Sequence, residues 1–282
     1  MRTVTNPALD SRHSIMGYQV AVFIFSFRRP LIPLSYHIRG MALGDTRRLA
    51  LDIETISPHL APEDDPDYDN PEEFEVAAIG FAYDGHEAGD RLPRREVLFR
   101  SDPDARSELN FLSRIAHRII TYDPNEIVTY AGEFFDLPIL KQRPVLVNDT
   151  AAGHAVSNSF EIMTDTAESV DLSDPAAETY GFGTSLEDII KEQNELGVRK
   201  THFTDYDHEL DLDAVRPYDS ETEHMASADV FSILEVWLYA RSEAHDDIGP
   251  CNVDVVEEML TDYIIGDIEH LLTLADRLPF ER

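Results

Sequence analysis

The sequence predicts an α/β protein: a mixed β-sheet flanked by helices. Three observations lead there. Short runs rich in Val, Ile, Leu and Ala, at residues 48–54, 76–83 and 126–130, read as strands. Longer stretches with apolar residues three and four apart read as helices. The order is β-β-β-α-β-α followed by helices, and a sheet interleaved with helices buries its faces against them.

Each element has its own warrant. Residues 48–54 form an apolar strand that ends in carboxylates. Residues 57–73 hold four Pro and seven acids, the composition of a solvated loop. Residues 76–83 make the second strand, with Asp84-Gly85 as a turn signal, and 95–99 return as the third. In 104–120, Leu109, Leu112, Ile115, Ala116 and Ile119 have helical spacing, with Asp102 or Ser101 available as a cap. Residues 126–130 are a short β-branched strand. Pro138 suits the first turn of a helix, which puts Asp136 at a strand-to-helix junction. Residues 170–172 read as a further strand. Ser185-Leu-Glu-Asp188 is a capping-box pattern opening a helix to about Leu196. The acidic run 205–213 reads as loop, and 224–240 and 255–278 as amphipathic helices.

Composition bounds the setting. The chain has 282 residues, enough to bury a full core, and a net charge of -32 with only three lysines, Lys141, Lys191 and Lys200. Acid excess with scarce Lys resembles proteins of halophilic, haloarchaeal source, where a Debye length of ~3 Å at 1 M salt makes self-repulsion tolerable. A hydrophobic fraction of 43% with clear periodicity argues against an acidic disordered chain. Cys251 is the single cysteine, which rules out an internal disulfide and fits a cytoplasmic setting. No apolar stretch reaches the ~18 residues that span a membrane, so no membrane partner is expected.

Residues 1–40 stand apart: they carry +4, against -36 for the remainder. A membrane-touching arm, a nucleic-acid-binding arm and a segment outside the functional protein are the three readings. The third is favoured, because the acid-rich composition begins abruptly at Met41. The expected organisation is an atypical extension over 1–40 and one domain over 41–282.

The chemistry centres on Leu51-Asp52-Ile53-Glu54-Thr55. In a strand, residues two apart share a face, so Asp52 and Glu54 project together while Ile53 enters the core. Two adjacent anions beside a core are costly unless a cation neutralises them, and hard cations prefer carboxylate oxygen. A strand end that merely reaches solvent is the alternative for this tripeptide. Two further stretches bear on it: Tyr130-Ala131-Gly132-Glu133-Phe134-Phe135-Asp136-Leu137-Pro138, and Tyr263-Ile-Ile-Gly-Asp267.

Together these three motifs resemble the DEDD superfamily of 3′–5′ exonucleases on a ribonuclease-H-like fold. The likeness is to YprB-type nucleases and the exonuclease domains of family B DNA polymerases, from about Arg48 onward. One departure is Ala131, where the family usually has Asn. The third motif has a rival in His224-Met-Ala-Ser-Ala-Asp229, which has the spacing of the histidine subclass. Tyr263 and Asp267 are favoured, since i and i+4 share one helix face.

The resemblance implies a nuclease that takes nucleic acid with a 3′ end and works by a two-metal mechanism with two Mg²⁺ or Mn²⁺ ions. It implies Asp52, Glu54, Asp136 and Asp267 as metal ligands and Tyr263 as the residue that orients the attacking water. The competing functions are a catalytically silent nucleic-acid-binding or scaffold module, and a structure-specific endonuclease on the same fold. Phe134, Phe135, Tyr130 and Tyr180 are candidate base-stacking residues, with core packing expected for Phe135. DNA or RNA, protein partners and oligomeric state are left open by the sequence.

Overall fold

A computed structural model describes residues 47–60, 66–84, 94–193, 196–215, 223–242 and 250–280. The extension over 1–40, the start at Met41, Gly85 and part of the acidic 57–73 loop lie outside the described residues.

A five-stranded mixed sheet has the order β3-β2-β1-β4-β5. Its strands are β1 (Arg48–Ile56), β2 (Glu75–Tyr83), β3 (Arg94–Phe99), β4 (Glu126–Thr129) and β5 (Glu168–Asp171). β1, β2 and β3 pair antiparallel, whereas β4 and β5 continue parallel to β1. Parallel neighbours need a crossover, and α1 (Ala105–Tyr122) lies between β3 and β4 in the chain. The fold is α/β, a ribonuclease-H-like mixed sheet with helices on both faces.

Strand alternation sorts the two faces. Leu49, Leu51 and Ile53 pack with Phe111, Leu112 and Ile115 of α1, and with Leu137 and Leu140 of α2 (Asp136–Val147). Phe160 and Met163 of α3 (Ala151–Thr166) close that core. The other face carries Ala78 and Ala82 of β2, covered by α7 (Ser227–Arg241), α8 (Val253–Ile268) and α9 (Leu271–Ala275). This face is lined by small residues. A Cβ at Gly80 would come within 2.6 Å of Ile264 Cγ2 and 2.9 Å of Ile268 Cγ2. Glycine there lets α8 settle close to the sheet, directly beside Asp52, whose register partner is Gly80.

A buried ionic network ties the first face together. Arg143 on α2 donates from Nε at 2.9 Å and from Nη2 at 2.7 Å to the two oxygens of Glu108 on α1. Glu108 also accepts the Val76 amide at 3.0 Å. Arg100, fully buried, pairs with Glu75 at 2.6 Å. These charges hold α1 and α2, and therefore the start of α2 at Asp136, in fixed register with the sheet.

Several sequence expectations change. The cap of α1 is Asp104, whose carboxylate accepts the Ser107 amide at 2.8 Å, and not Asp102 or Ser101. The helix expected from His224 starts only at Ser227, because His224 bridges in extended conformation to His202. The stretch 255–278 is two helices, α8 and α9, rather than one. Within the acidic run 205–213, a short helix α6 (Leu212–Val215) begins. Two helices carried no readable signal: α3, rich in small and polar residues, and α4 (Ser173–Tyr180). The capping box at Ser185 and Asp188 forms, but its helix α5 (Leu186–Glu192) stops short of Leu196.

Candidate metal centre

Asp52 and Glu54 leave β1 on the α8 side of the sheet. From that helix Asp267 reaches back, and one carboxylate oxygen from each of Asp52, Glu54 and Asp267 lies within 4.8 Å of the others. The three line a cleft of about 500 Å³ whose walls also include Tyr130, Asp136, Lys200, His224 and Tyr263. Asp136 approaches from the first turn of α2 and interacts electrostatically with Asp52 and Glu54.

Burial and mutual repulsion set the protonation of this cluster. Burial, then Asp267, pushes the Asp52 carboxyl up to about 8. Burial pushes Asp267 up to about 7, although its hydrogen bond with Tyr263 works in the opposite direction. Glu54 and Asp136 are both held well above the carboxylate range, by burial first and by their acidic neighbours second. Four carboxyls so placed cannot all ionise near neutrality without a counter-charge.

The donor set fits a hard divalent cation. Every candidate ligand is a carboxylate oxygen, which suits Mg²⁺ or Mn²⁺. Asp136 Oδ2 is buried without a hydrogen-bond partner, as is Thr129 Oγ1. Such orphaned atoms are uncommon, and an ion is one of the things that accounts for them. Gly132 makes room for both: a Cβ there would lie 2.5 Å from Thr129 Cβ and 2.8 Å from Asp136 Oδ2.

Tyr263 stands one turn before Asp267. Its hydroxyl lies 3.1 Å from Ser227 Oγ and also hydrogen-bonds Asp267. Burial, with Asp267 and Glu54 close by, raises the phenol far above its ordinary value. Tyr263 therefore keeps its proton and can orient a group but not act as a base.

The rival pair is divided. His224 lines the same cleft, with its Nε2 2.9 Å from Lys200 Nζ. Burial and the Lys200 charge depress its pKa. Asp229 is buried at the start of α7, where it accepts the Ala226 amide at 2.9 Å, and it does not line the cleft. The structure thus gathers Asp52, Glu54, Asp136, Tyr263 and Asp267 at one cleft and leaves Asp229 outside it.

Sequence reasoning missed two elements of the surroundings. Asp171, at the end of β5, accepts the amides of Ala131 at 2.8 Å and Glu133 at 2.9 Å, and it also takes the Ser173 amide and hydroxyl. Its place at a strand end could have flagged it. Lys200 pairs with Glu187 at 2.9 Å, and Lys191 reaches the same carboxylate at 2.6 Å. Two of only three lysines in the chain therefore share Glu187, a residue of the cleft wall, a scarcity signal visible in the sequence. Of the aromatic candidates, Phe135 packs edge-on to Phe74 at 5.0 Å, in keeping with a core role. Phe134 is exposed.

Among the described residues no helix is long and apolar enough to cross a membrane. No family model matches the chain, and no curated protein matches it. Among solved structures, the chain is similar to the family B DNA polymerase from the hyperthermophilic archaeon Pyrobaculum calidifontis. The TM-score is 0.46 at 18% identity, over 83% of this chain and 24% of the polymerase, so the chain spans about a quarter of that protein's length.

Proposed function

We propose that the chain is a metal-dependent 3′–5′ exonuclease of the DEDD type, acting on DNA or RNA at high salt. The observation that carries this reading is the convergence of Asp52, Glu54 and Asp267 within 4.8 Å, at a cleft that Asp136 and Tyr263 also line. These residues belong to the three motifs that resemble the family.

Asp52, Glu54, Asp136 and Asp267 are the residues that would hold the two Mg²⁺ or Mn²⁺ ions. When bound, such a pair supplies a hydroxide at neutral pH and offsets the charge that builds on the phosphate and leaving oxygens. The protein's own groups do the rest. Tyr263, protonated and fixed by Ser227 and Asp267, orients the attacking water through its hydroxyl. Arg199 and Lys200, paired with Asp262 and Glu187, are the cations among the described cleft-lining residues and would be the ones to meet the substrate's phosphates. Asp171 keeps the turn at residues 131–133 in place, so the absence of the usual Asn at position 131 leaves the backbone next to Asp136 intact. That argues for an active enzyme over a silent module. The product is a nucleoside 5′-monophosphate.

The test is hydrolysis of 3′-labelled single strands in molar KCl with Mn²⁺, using wild type and Asp52→Asn. Stepwise release of mononucleotides by wild type alone is the expected result. Cleavage of circular strands would replace the reading with an endonuclease. Metal binding without hydrolysis of any substrate would replace it with a binding module.

A further inference from the structure

Phe182 is the most exposed large apolar side chain among the described residues, at 102% relative exposure. Isolated exposed hydrophobics are ordinary; the way this one is held is not. It sits between Gly181 at φ +114° and Gly183 at φ +81°, a conformation that favours glycine on both sides. The short loop is tied down from both ends. The Tyr130 hydroxyl donates to the Thr184 carbonyl, and the Thr184 hydroxyl donates to the Gly181 carbonyl at 2.7 Å. Behind it, Gln193 donates to the Tyr180 hydroxyl at 2.8 Å. A pinned loop thus holds a bare aromatic ring out in solvent.

Its position relates it to the cleft. Tyr130, Ser185 and Leu186 all line the cleft wall, and Phe182 precedes Ser185 by three residues, a reach of at most about 11 Å. Phe182 therefore lies close to the wall of the cleft that the carboxylates also line.

We propose that Phe182 is a stacking platform for an unpaired base of the substrate strand, a few nucleotides from its 3′ end. The proposal rests on the reading of the cleft as an exonuclease site. The charge of the chain selects this occupant over a phosphate-gripping one. At -32 the surface offers a polyanion little attraction, and molar salt removes most of what counterion release could add. Base–aromatic stacking is uncharged, survives salt and accepts every base, because each has a π-face. The site then favours single-stranded ends, in which that base is free to stack.

The experiment compares wild type, Phe182→Ala and Phe182→Trp on single-stranded oligonucleotides and on a dinucleotide too short to reach the ring. Phe182→Ala should raise KM for the longer strand about 5- to 150-fold, the range of one base–aromatic stack, at nearly unchanged kcat. Phe182→Trp should restore it, and the dinucleotide should be hydrolysed equally by all three. The KM penalty should persist in molar KCl. Placing one abasic site along the strand should reproduce the penalty in wild type at a single position, and should add nothing further there in Phe182→Ala. An unchanged KM, or an abasic penalty that simply adds to the mutation, overturns the platform while leaving the exonuclease reading in place. If wild type hydrolyses no strand of any length, the exonuclease reading falls, and the platform with it.

Discussion

Asp171 Oδ1 accepts the Ala131 amide at 2.8 Å, and Ala131 is held at φ +60°. The left-handed region costs an L-residue with a Cβ roughly 1–2 kcal/mol, less for Asn, whose side chain hydrogen-bonds locally. An Asn would suit this conformation better than Ala, and Ala131 retains it through Asp171. Ala131→Asn should stabilise the fold by about 1 kcal/mol, measured by denaturant unfolding in high KCl. A destabilised Ala131→Asn would show that the turn is not strained.

Gly80 decides how closely α8 approaches the sheet. A methyl group there would sit 2.6 Å from Ile264 Cγ2, and overpacking of that kind costs about 1–3 kcal/mol. Gly80→Ala should therefore lower stability by that amount and also weaken Mn²⁺ binding, because α8 carries Tyr263 and Asp267. Calorimetric titration checks the second effect. Full metal affinity in a destabilised Gly80→Ala protein would separate helix docking from the site.

Asp267 and Asp229 should behave oppositely. Asp267→Asn should weaken metal binding and abolish hydrolysis without loss of fold. Asp229→Ala should leave metal affinity intact but cost about 1–2 kcal/mol, because it removes the acceptor of the Ala226 amide at the start of α7. Loss of metal affinity in Asp229→Ala, with Asp267→Asn unaffected, would transfer the third motif to the histidine subclass.

The pH dependence of the metal-free protein follows from the raised carboxyls. Asp52 titrates near 8 and Asp267 near 7 in the folded state, against about 4 when unfolded. The folded state therefore holds these protons more tightly. Its advantage is full below pH about 4 and is lost as pH rises through 7 to 8. With chelator, Tm should fall over that window, and Asp52→Asn should flatten the fall and raise Tm at pH 8. Saturating Mn²⁺ should reverse it for wild type, with proton release on binding. A metal-free Tm independent of pH between 5 and 8 would contradict the cluster's electrostatics.

The Arg143–Glu108 pair is buried and bidentate. Arg143→Ala leaves a buried carboxylate short of its main partner and should cost about 3–5 kcal/mol. Unfolding by denaturant measures this, and a loss below about 1 kcal/mol would place the pair among surface-like ion pairs.

What could be read from the chain alone was set by short-range geometry. Asp52 and Glu54 share a face because a strand repeats every two residues, and Tyr263 meets Asp267 because a helix brings i and i+4 together. Pro138 in the first turn of α2 and the Ser185–Asp188 box mark helix starts through local backbone chemistry. The α/β order followed from the same periodicities. The contacts between these pieces were decided only by tertiary packing. His224-x₄-Asp229 and Tyr263-x₃-Asp267 were both legible as third motifs. Which of them meets Asp52 and Glu54 was decided by the small face of β2, where Ala78, Gly80 and Ala82 admit α8, and by the buried start of α7, which turns Asp229 to a backbone amide. The Asp171 clamp and the Lys200–Glu187–His224 wall join residues far apart in the chain that no local period relates. The helix α3 went unread because its small and polar residues gain their order from packing against α1 and α2 rather than from an apolar stripe of their own.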